Sequence, residues 1–299
     1  MTSPSCLRVL VLAALVPLGT AVSALAQPAG ARDGFELTAR YSHTGRSDLE
    51  AAGPAGSVAV TSYQLGLRAN ASLSATTSLL HGLEWSRHEL DRSGPRWLPG
   101  NLNSLAAPLG VSHRFDDHWR LLATVSPRLA GAGGDFGSAG FDLPVMALAS
   151  YTTSPELTWS FGLRYGARSD LKVLPIAGVV RKFAPEWEFR LAWPDSGLSY
   201  RATPELTLRA VATFHGGDYR LDDDPRAPAD RTGVSLANSW LEYREVRVGL
   251  AAEYAPGRGV SLRADLGRVV SQRFECTDRS LKLTGGSPTY FALGAIARF

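Results

Sequence analysis

Nearly every segment between turns alternates apolar and polar side chains with a period of two. That period puts successive side chains on opposite faces of a strand, so the chain is constrained to a sheet with two different surroundings. In 157–168 one face reads Leu157, Trp159, Phe161, Leu163, Tyr165, and the other Thr158, Ser160, Gly162, Arg164, Gly166, Arg168. In 206–215 the apolar face is Leu206, Leu208, Ala210, Ala212, Phe214, opposite Thr207, Arg209, Val211, Thr213, His215. The stretches 119–129 and 246–254 behave likewise.

A soluble β-sandwich alternates too, and three further features separate a membrane barrel from it. Aromatic residues gather beside turns, at Phe115, Trp119, Phe183, Trp187, Tyr200 and Tyr254, with Tyr41, Trp85, Trp193 and Phe214 towards the other strand ends. This fits aromatic girdles at two water–lipid boundaries. The connections alternate in length. Short turns are expected at 70–76, 116–118, 154–156, 184–186, 203–205 and 256–259, rich in the proline and glycine that end ladders. Longer polar loops are expected near 45–56, 90–104, 131–142, 217–233 and 272–287, with tighter outer connections at 169–171 and 194–196. Finally, Phe291, Leu293, Ala295, Ala297 and Phe299 share one face of a last strand that resembles the carboxy-terminal assembly signal of bacterial outer-membrane proteins. Phe299 is the residue expected to meet the barrel assembly machinery.

The predicted fold is all-β, a transmembrane antiparallel up-and-down barrel preceded by a cleaved signal peptide. Six short turns and seven outer connections imply fourteen strands, with twelve and sixteen left open. An even number suits a single-chain bacterial barrel. Residues 1–26 read as the signal peptide, with Arg8 before an apolar run and Ala24-Leu25-Ala26 as the cleavage motif before Gln27. Residues 27–33 are expected to be a short periplasmic segment, too short for a plug, and 34–299 the barrel. No later window offers the ~18 uninterrupted apolar residues of a membrane helix. The mature chain keeps one cysteine, Cys276, expected in a loop and unable to form an internal disulfide.

The stretches Leu174-Pro175-Ile176-Ala177-Gly178, Trp193-Pro194-Asp195-Ser196-Gly197-Leu198-Ser199-Tyr200-Arg201 and Gly216-Gly217-Asp218-Tyr219-Arg220-Leu221 resemble an uncharacterised family of bacterial outer-membrane β-barrels, a domain of unknown function. The resemblance implies the fold and an outer-membrane location, with lipid as the surrounding partner. It implies no activity.

With polar faces inward, the lumen receives Arg40, Arg68, Arg114, Arg120, Arg128, Arg164, Arg168, Arg190, Arg201, Arg209, Arg247, Arg263 and Arg298. Glu36, Glu84, Glu188, Glu245, Glu253 and Asp265 join them. Segregation of charge away from lipid is expected of any barrel. The surplus of arginine over carboxylate points instead to a passive, anion-favouring pore. Two readings stand beside it: an Arg–Glu network that fills and braces a non-conducting barrel, and a surface-interaction role resting in the outer loops. Fourteen strands lie between barrels filled by side chains and those leaving a channel.

Other chemistry has little support. Asp218, Asp222, Asp223, Asp224 and Asp230 make 217–233 acidic, but their spacing matches no calcium loop, and a solvated loop is expected. Gly131 to Gly140 is glycine-rich without a following helix, so no phosphate cradle is expected. There is no G-x-S-x-G and no H-E-x-x-H. His81 and His113 fall in register with lipid-side residues, where a lipid hydrolase would place its base, yet no serine is paired to them by sequence. No enzyme, metal, cofactor or nucleic acid is expected, and the sequence is silent on oligomeric state.

Overall fold

The computed structural model describes residues 33–51, 53–133, 138–168, 172–221, 235–257 and 259–299. The expected leader with its Ala26–Gln27 cleavage site, the 169–171 connection, residues 134–137 of the glycine-rich loop and the Asp222–Asp230 stretch lie outside the described residues.

Fourteen antiparallel strands close into one barrel. In chain order they are β1 (Gly34–Glu50), β2 (Pro54–Ser72), β3 (Thr77–Ser93), β4 (Asn101–Ala106 and Leu109–Arg114), β5 (Trp119–Val125 and Arg128–Ala132), β6 (Phe141–Asp142 and Val145–Ser154) and β7 (Leu157–Tyr165). There follow β8 (Val173–Ala184), β9 (Trp187–Leu191), β10 (Asp195–Arg201), β11 (Leu206–Leu221), β12 (Ser239–Gly257), β13 (Val260–Cys276) and β14 (Leu281–Gly285 and Thr289–Arg298). The four interrupted strands break at Pro108, Pro127, Pro144 and Pro288. Proline has no N–H to give the ladder, but its carbonyl still accepts. Gly82, Ala107, Ser126 and Val269 donate to those four carbonyls at 3.0, 2.9, 2.9 and 2.9 Å, so the wall stays continuous through each break.

β14 closes the barrel on β1, from Glu36↔Arg298 to Thr44↔Tyr290. Phe299 completes the seam by exchanging backbone hydrogen bonds with Phe35 at 2.9 and 3.2 Å. The six short connections lie at the end where Gly34 and Phe299 stand, and the predicted strand number is the observed one.

The opposite, loop end departs from expectation. The stretches 45–56 and 272–287 are mostly strand, because β1 runs to Glu50, β2 starts at Pro54, β13 runs to Cys276 and β14 resumes at Leu281. The reason is a reversal of hydropathy phase along each strand. On β3 the outward face runs Leu83, Trp85, then Arg87, Glu89 and Asp91, while the inward face runs Glu84, Ser86, then His88 and Leu90, both buried. On β1 a bulge between Thr44 and Ser47 turns Ser47 and Leu49 inward and Asp48 and Glu50 outward. The lower wall is therefore apolar outside and polar inside, and the upper wall the reverse, as in a water-soluble sheet packed on a core. Cys276 belongs to that core: it is the last residue of β13 and fully buried, not a loop residue.

Around the lower wall the exposed side chains form an apolar belt that includes Leu65, Leu163, Leu250, Leu266 and Leu293. At the termini end it is rimmed by the ring pairs Trp119–Tyr151 (4.8 Å) and Trp187–Tyr200 (4.7 Å). His81 and His113 lie on the outward face, in register with Leu79 and Val111. His113 is hydrogen-bonded to Thr77 at 2.8 Å and packed on Phe115.

Candidate functional site

Polar inward faces leave space inside the lower barrel. A cavity of about 290 Å³ occupies its middle, and a second of about 380 Å³ reaches the turn residues Pro185 and Glu186. The two share Pro194, Asp195 and Glu253, forming a vestibule that reaches the termini end.

The vestibule's arginines are mostly matched with carboxylates. Arg263 pairs with Asp265 at 2.6 Å and Asp195 at 3.5 Å, and Arg209 pairs with Asp195 at 3.3 Å. Arg40 stands 3.8 Å from Asp265, Arg190 3.2 Å from Glu188, and Arg298 2.9 Å from Glu36; Arg68 pairs with Glu84. Arg114 and Arg120 face each other in register near the termini end, and Arg201 is exposed at the same rim beside Lys182 and Glu186.

Above the vestibule a buried polar layer lines the bore along β12, β13, β14 and β1. Arg247 pairs with Glu245 at 2.7 Å, with 1% and 0% side-chain exposure. Arg247 also donates to Ser42 and Thr44, both at 3.2 Å, and its guanidinium lies 5.0 Å from the Tyr290 ring centre. Gln272 donates to Glu245 at 2.8 Å and accepts from Ser47 at 2.7 Å. Low dielectric makes such a network strong when each member has a partner.

Above that layer the side of the lumen between β1 to β5 and β11 to β14 is filled. Leu49, Val58, Val60, Leu90, Trp97, Leu98, Leu102, Tyr219, Leu221, Leu241, Tyr243, Phe274, Cys276 and Leu283 form one buried apolar cluster between β1 to β4 and the upper parts of β11 to β14. Full burial of such a side chain contributes about 1.5–3 kcal/mol. His88 sits at its base, bonded to Ser62 at 2.8 Å and edge-on to Tyr243.

What lets the cluster close is a short hairpin. β10 pairs with β11 only as far as Asp195↔Thr213, and β9 meets β8 only from Val179 onward. Among the described residues, the upper edges of β8 and β11 therefore have no strand between them. The upper half of β11 crosses the barrel instead, and Arg220 meets Gly131 of β5 in a parallel bridge. β12 follows it, paired from Leu206↔Tyr254 to Leu221↔Ser239. Tyr219 and Tyr243 face the apolar cluster. On the other face Asp218 is 1% exposed and pairs with Arg128 of β5 at 3.3 Å, while Arg128 also holds Asp142 of β6 at 2.9 Å.

Among the expected lumen residues, Arg168 is misplaced: it lies beyond β7, exposed, over the Trp240 ring at 5.3 Å. Arg164 faces inward but is 1% exposed, and among the described residues none of its three guanidinium nitrogens has a hydrogen-bond partner. Glu253 lines the vestibule. The sequence reading missed Asp142, Asp195 and Asp218, because all three fell in stretches assigned to loops or turns. Asp218 in particular was expected in a solvated acidic loop; strand β11 extends through it to Leu221 and buries it. Among the described residues no group of three or more His, Cys, Asp or Glu stands placed to hold a metal ion.

No protein-family model matches the sequence, so the resemblance noted above rests on the quoted residues alone. A comparison with curated proteins returns no match. Among solved structures, the chain is similar to an outer-membrane channel from Pseudomonas putida F1, at 14% identity over 89% of this chain and 96% of that one, with a TM-score of 0.49. It is similar to a Pseudomonas aeruginosa FadL homologue at 12% identity over 90% of each chain, with a TM-score of 0.47. It is also similar to the translocator domain of the autotransporter NalP from Neisseria meningitidis, at 15% identity over 94% of each chain and a TM-score of 0.39. The closed hydrogen-bond ladder establishes the barrel without them.

Proposed function

We propose that the protein is an outer-membrane solute channel that rests closed, with a charged vestibule open to the periplasm and its outward end sealed. The apolar belt supports the membrane location, since a contiguous band of exposed leucine and aromatic rings suits lipid and not water. The short-turn end carrying the termini then faces the periplasm.

The observation that carries the closed state is the buried apolar cluster under the outer connections, sealed by the crossing of β11 against β5. A dry core of packed side chains passes neither ions nor polar solutes. The paired arginines favour bracing over an open arginine ring, because a guanidinium matched to a carboxylate contributes little net field. Any anion preference belongs to the short-turn rim, which carries Arg114 and Arg201.

Conductance of refolded protein in planar bilayers tests this. Wild-type protein is expected to show no steady current. A shortened variant, with Asp218–Glu242 replaced by an Asn-Gly turn, removes the crossing segment and is expected to conduct, with a reversal potential favouring anions. A steady large wild-type current would refute the seal. Silence in a folded shortened variant would leave the barrel with a purely structural role.

A further inference from the structure

We propose that the short-turn end of the vestibule is a binding site for a short zwitterionic solute of about tripeptide length. Arg201 holds its carboxylate and Glu253 its ammonium. This deepens the channel reading and rests on its vestibule being open to the periplasm.

The lumen's ion pairs make the exceptions visible. Among the charged side chains lining the cavity of about 380 Å³, Arg190 is matched with Glu188 and Arg209 with Asp195. Among the described residues, Lys182, Arg201, Glu186 and Glu253 make no side-chain hydrogen bond or ion pair. Lys182, Arg201 and Glu186 are exposed at the rim, whereas Glu253 is half-buried. Arg209 and Arg263 feel the charge of Glu253, yet their own pairs are with Asp195 and Asp265. A half-buried carboxylate without a donor has lost part of its hydration and gained no hydrogen bond in exchange, so it favours a donor brought by a ligand. At the rim Lys182 and Glu186 carry opposite charges, so Arg201 sets the sign of that end.

Register sets the distance between the two ends. Arg201 of β10 faces Thr207 of β11, and Thr207 faces Glu253 of β12. All three line the same cavity. Neighbouring strands lie ~4.8 Å apart, so the stems of Arg201 and Glu253 stand ~10 Å apart along one row. At that spacing the two leave each other unpaired, while a solute carrying both charges can bridge them. An extended peptide spans at most ~3.3–3.6 Å per residue, so three residues match the gap and a single amino acid does not. The Thr207 hydroxyl stands between the two ends, able to donate to or accept from a peptide group. Ligand pockets run from about 300 to 1,000 Å³, and a peptide this short suits the small end of that range.

Calorimetric titration of the refolded protein with triglycine tests the site. Triglycine is expected to bind saturably. N-acetyl-triglycine lacks the ammonium and triglycine amide lacks the carboxylate. Each is expected to bind about tenfold to a hundredfold more weakly, the range of one hydrogen bond to a charged group. Glu253→Gln is expected to weaken triglycine by that factor and to leave N-acetyl-triglycine unchanged. Arg201→Gln should weaken triglycine likewise and leave triglycine amide unchanged. A misfolded or destabilised barrel cannot match each variant to one analogue in this way. No saturable binding of triglycine, or equal losses for all three peptides in both variants, would overturn the proposal.

Conductance separates this site from the channel. If the shortened variant conducts while the protein binds no peptide, the channel stands and the site falls. If the protein binds peptide with the expected pattern while the shortened variant stays silent, the site stands and the channel falls.

Discussion

Glu245 and Arg247, two positions apart on β12, lie side by side in the bore and pair at 2.7 Å with almost no exposure. A strand's period makes positions i and i+2 neighbours on one face. The same arrangement recurs at Glu188 with Arg190 and at Arg263 with Asp265. The lumen is thus braced both by partners adjacent within single strands and by pairs between strands, such as Arg209 with Asp195 and Arg68 with Glu84.

Removing one member of the buried pair should therefore cost far more than removing both. Glu245→Gln leaves the Arg247 guanidinium buried without its countercharge, and is expected to destabilise the barrel by about 3–5 kcal/mol. Replacing both by similar-sized apolar residues, Glu245→Leu with Arg247→Met, is expected to cost much less. Urea unfolding of the barrel from lipid vesicles, read by tryptophan fluorescence, checks the comparison.

These pairs show how far the sequence could be read. The i, i+2 motifs stand in the sequence as Glu188-x-Arg190, Glu245-x-Arg247 and Arg263-x-Asp265, and a net charge for the inner face does not show that their members neutralise one another. Strand number and turn positions were legible because lipid imposes one phase of alternation on every lower strand, as on Leu206 to Phe214. The upper wall was not, because there the phase reverses. Polar residues such as Asp48 and Lys282 then face water from strands, where they read as loop. The crossing of β11 was hidden for another reason. It follows from what β9 and β10 fail to reach, and an absent partner leaves no mark on the residues of β11 themselves.

The phase reversal has a direct test on the outer surface. Leu250 is 69% exposed on the lower wall, on the face assigned to lipid. Leu250→Arg is expected to cost about 2–4 kcal/mol if the position lies near the bilayer midplane. Arg87→Leu, on the upper part of β3 where the outward face is charged, is expected to change folding free energy little. Equal costs at the two positions, measured by unfolding from vesicles, would dismiss the belt.

The apolar cluster should behave as a protein core. Phe274 stacks on Tyr243 with ring centres 5.0 Å apart, and both are fully buried. Phe274→Ala leaves a cavity at the loop end and is expected to cost about 3–5 kcal/mol. It should also speed hydrogen exchange at amides of the upper strands before those of the lower wall, since the ladder near the belt is held independently. Uniform loss of protection would mean that core and belt unfold as one unit.

The turn between β4 and β5 carries a pH dependence of known sign. Asp116 Oδ1 accepts the backbone N–H of Trp119 at 2.6 Å and of His118 at 2.8 Å, and these bonds hold its carboxyl below the usual carboxylate range. A depressed folded-state value means that its contribution to stability is complete above the unfolded value, near ~4, and is lost as pH falls through the folded one. Asp116→Asn keeps an acceptor oxygen but removes the charge. The difference in Tm between wild type and this variant, measured in detergent, is expected at pH 7 and should vanish near pH 2. A difference that persists unchanged in acid would place the effect in the side chain's shape and not in its charge.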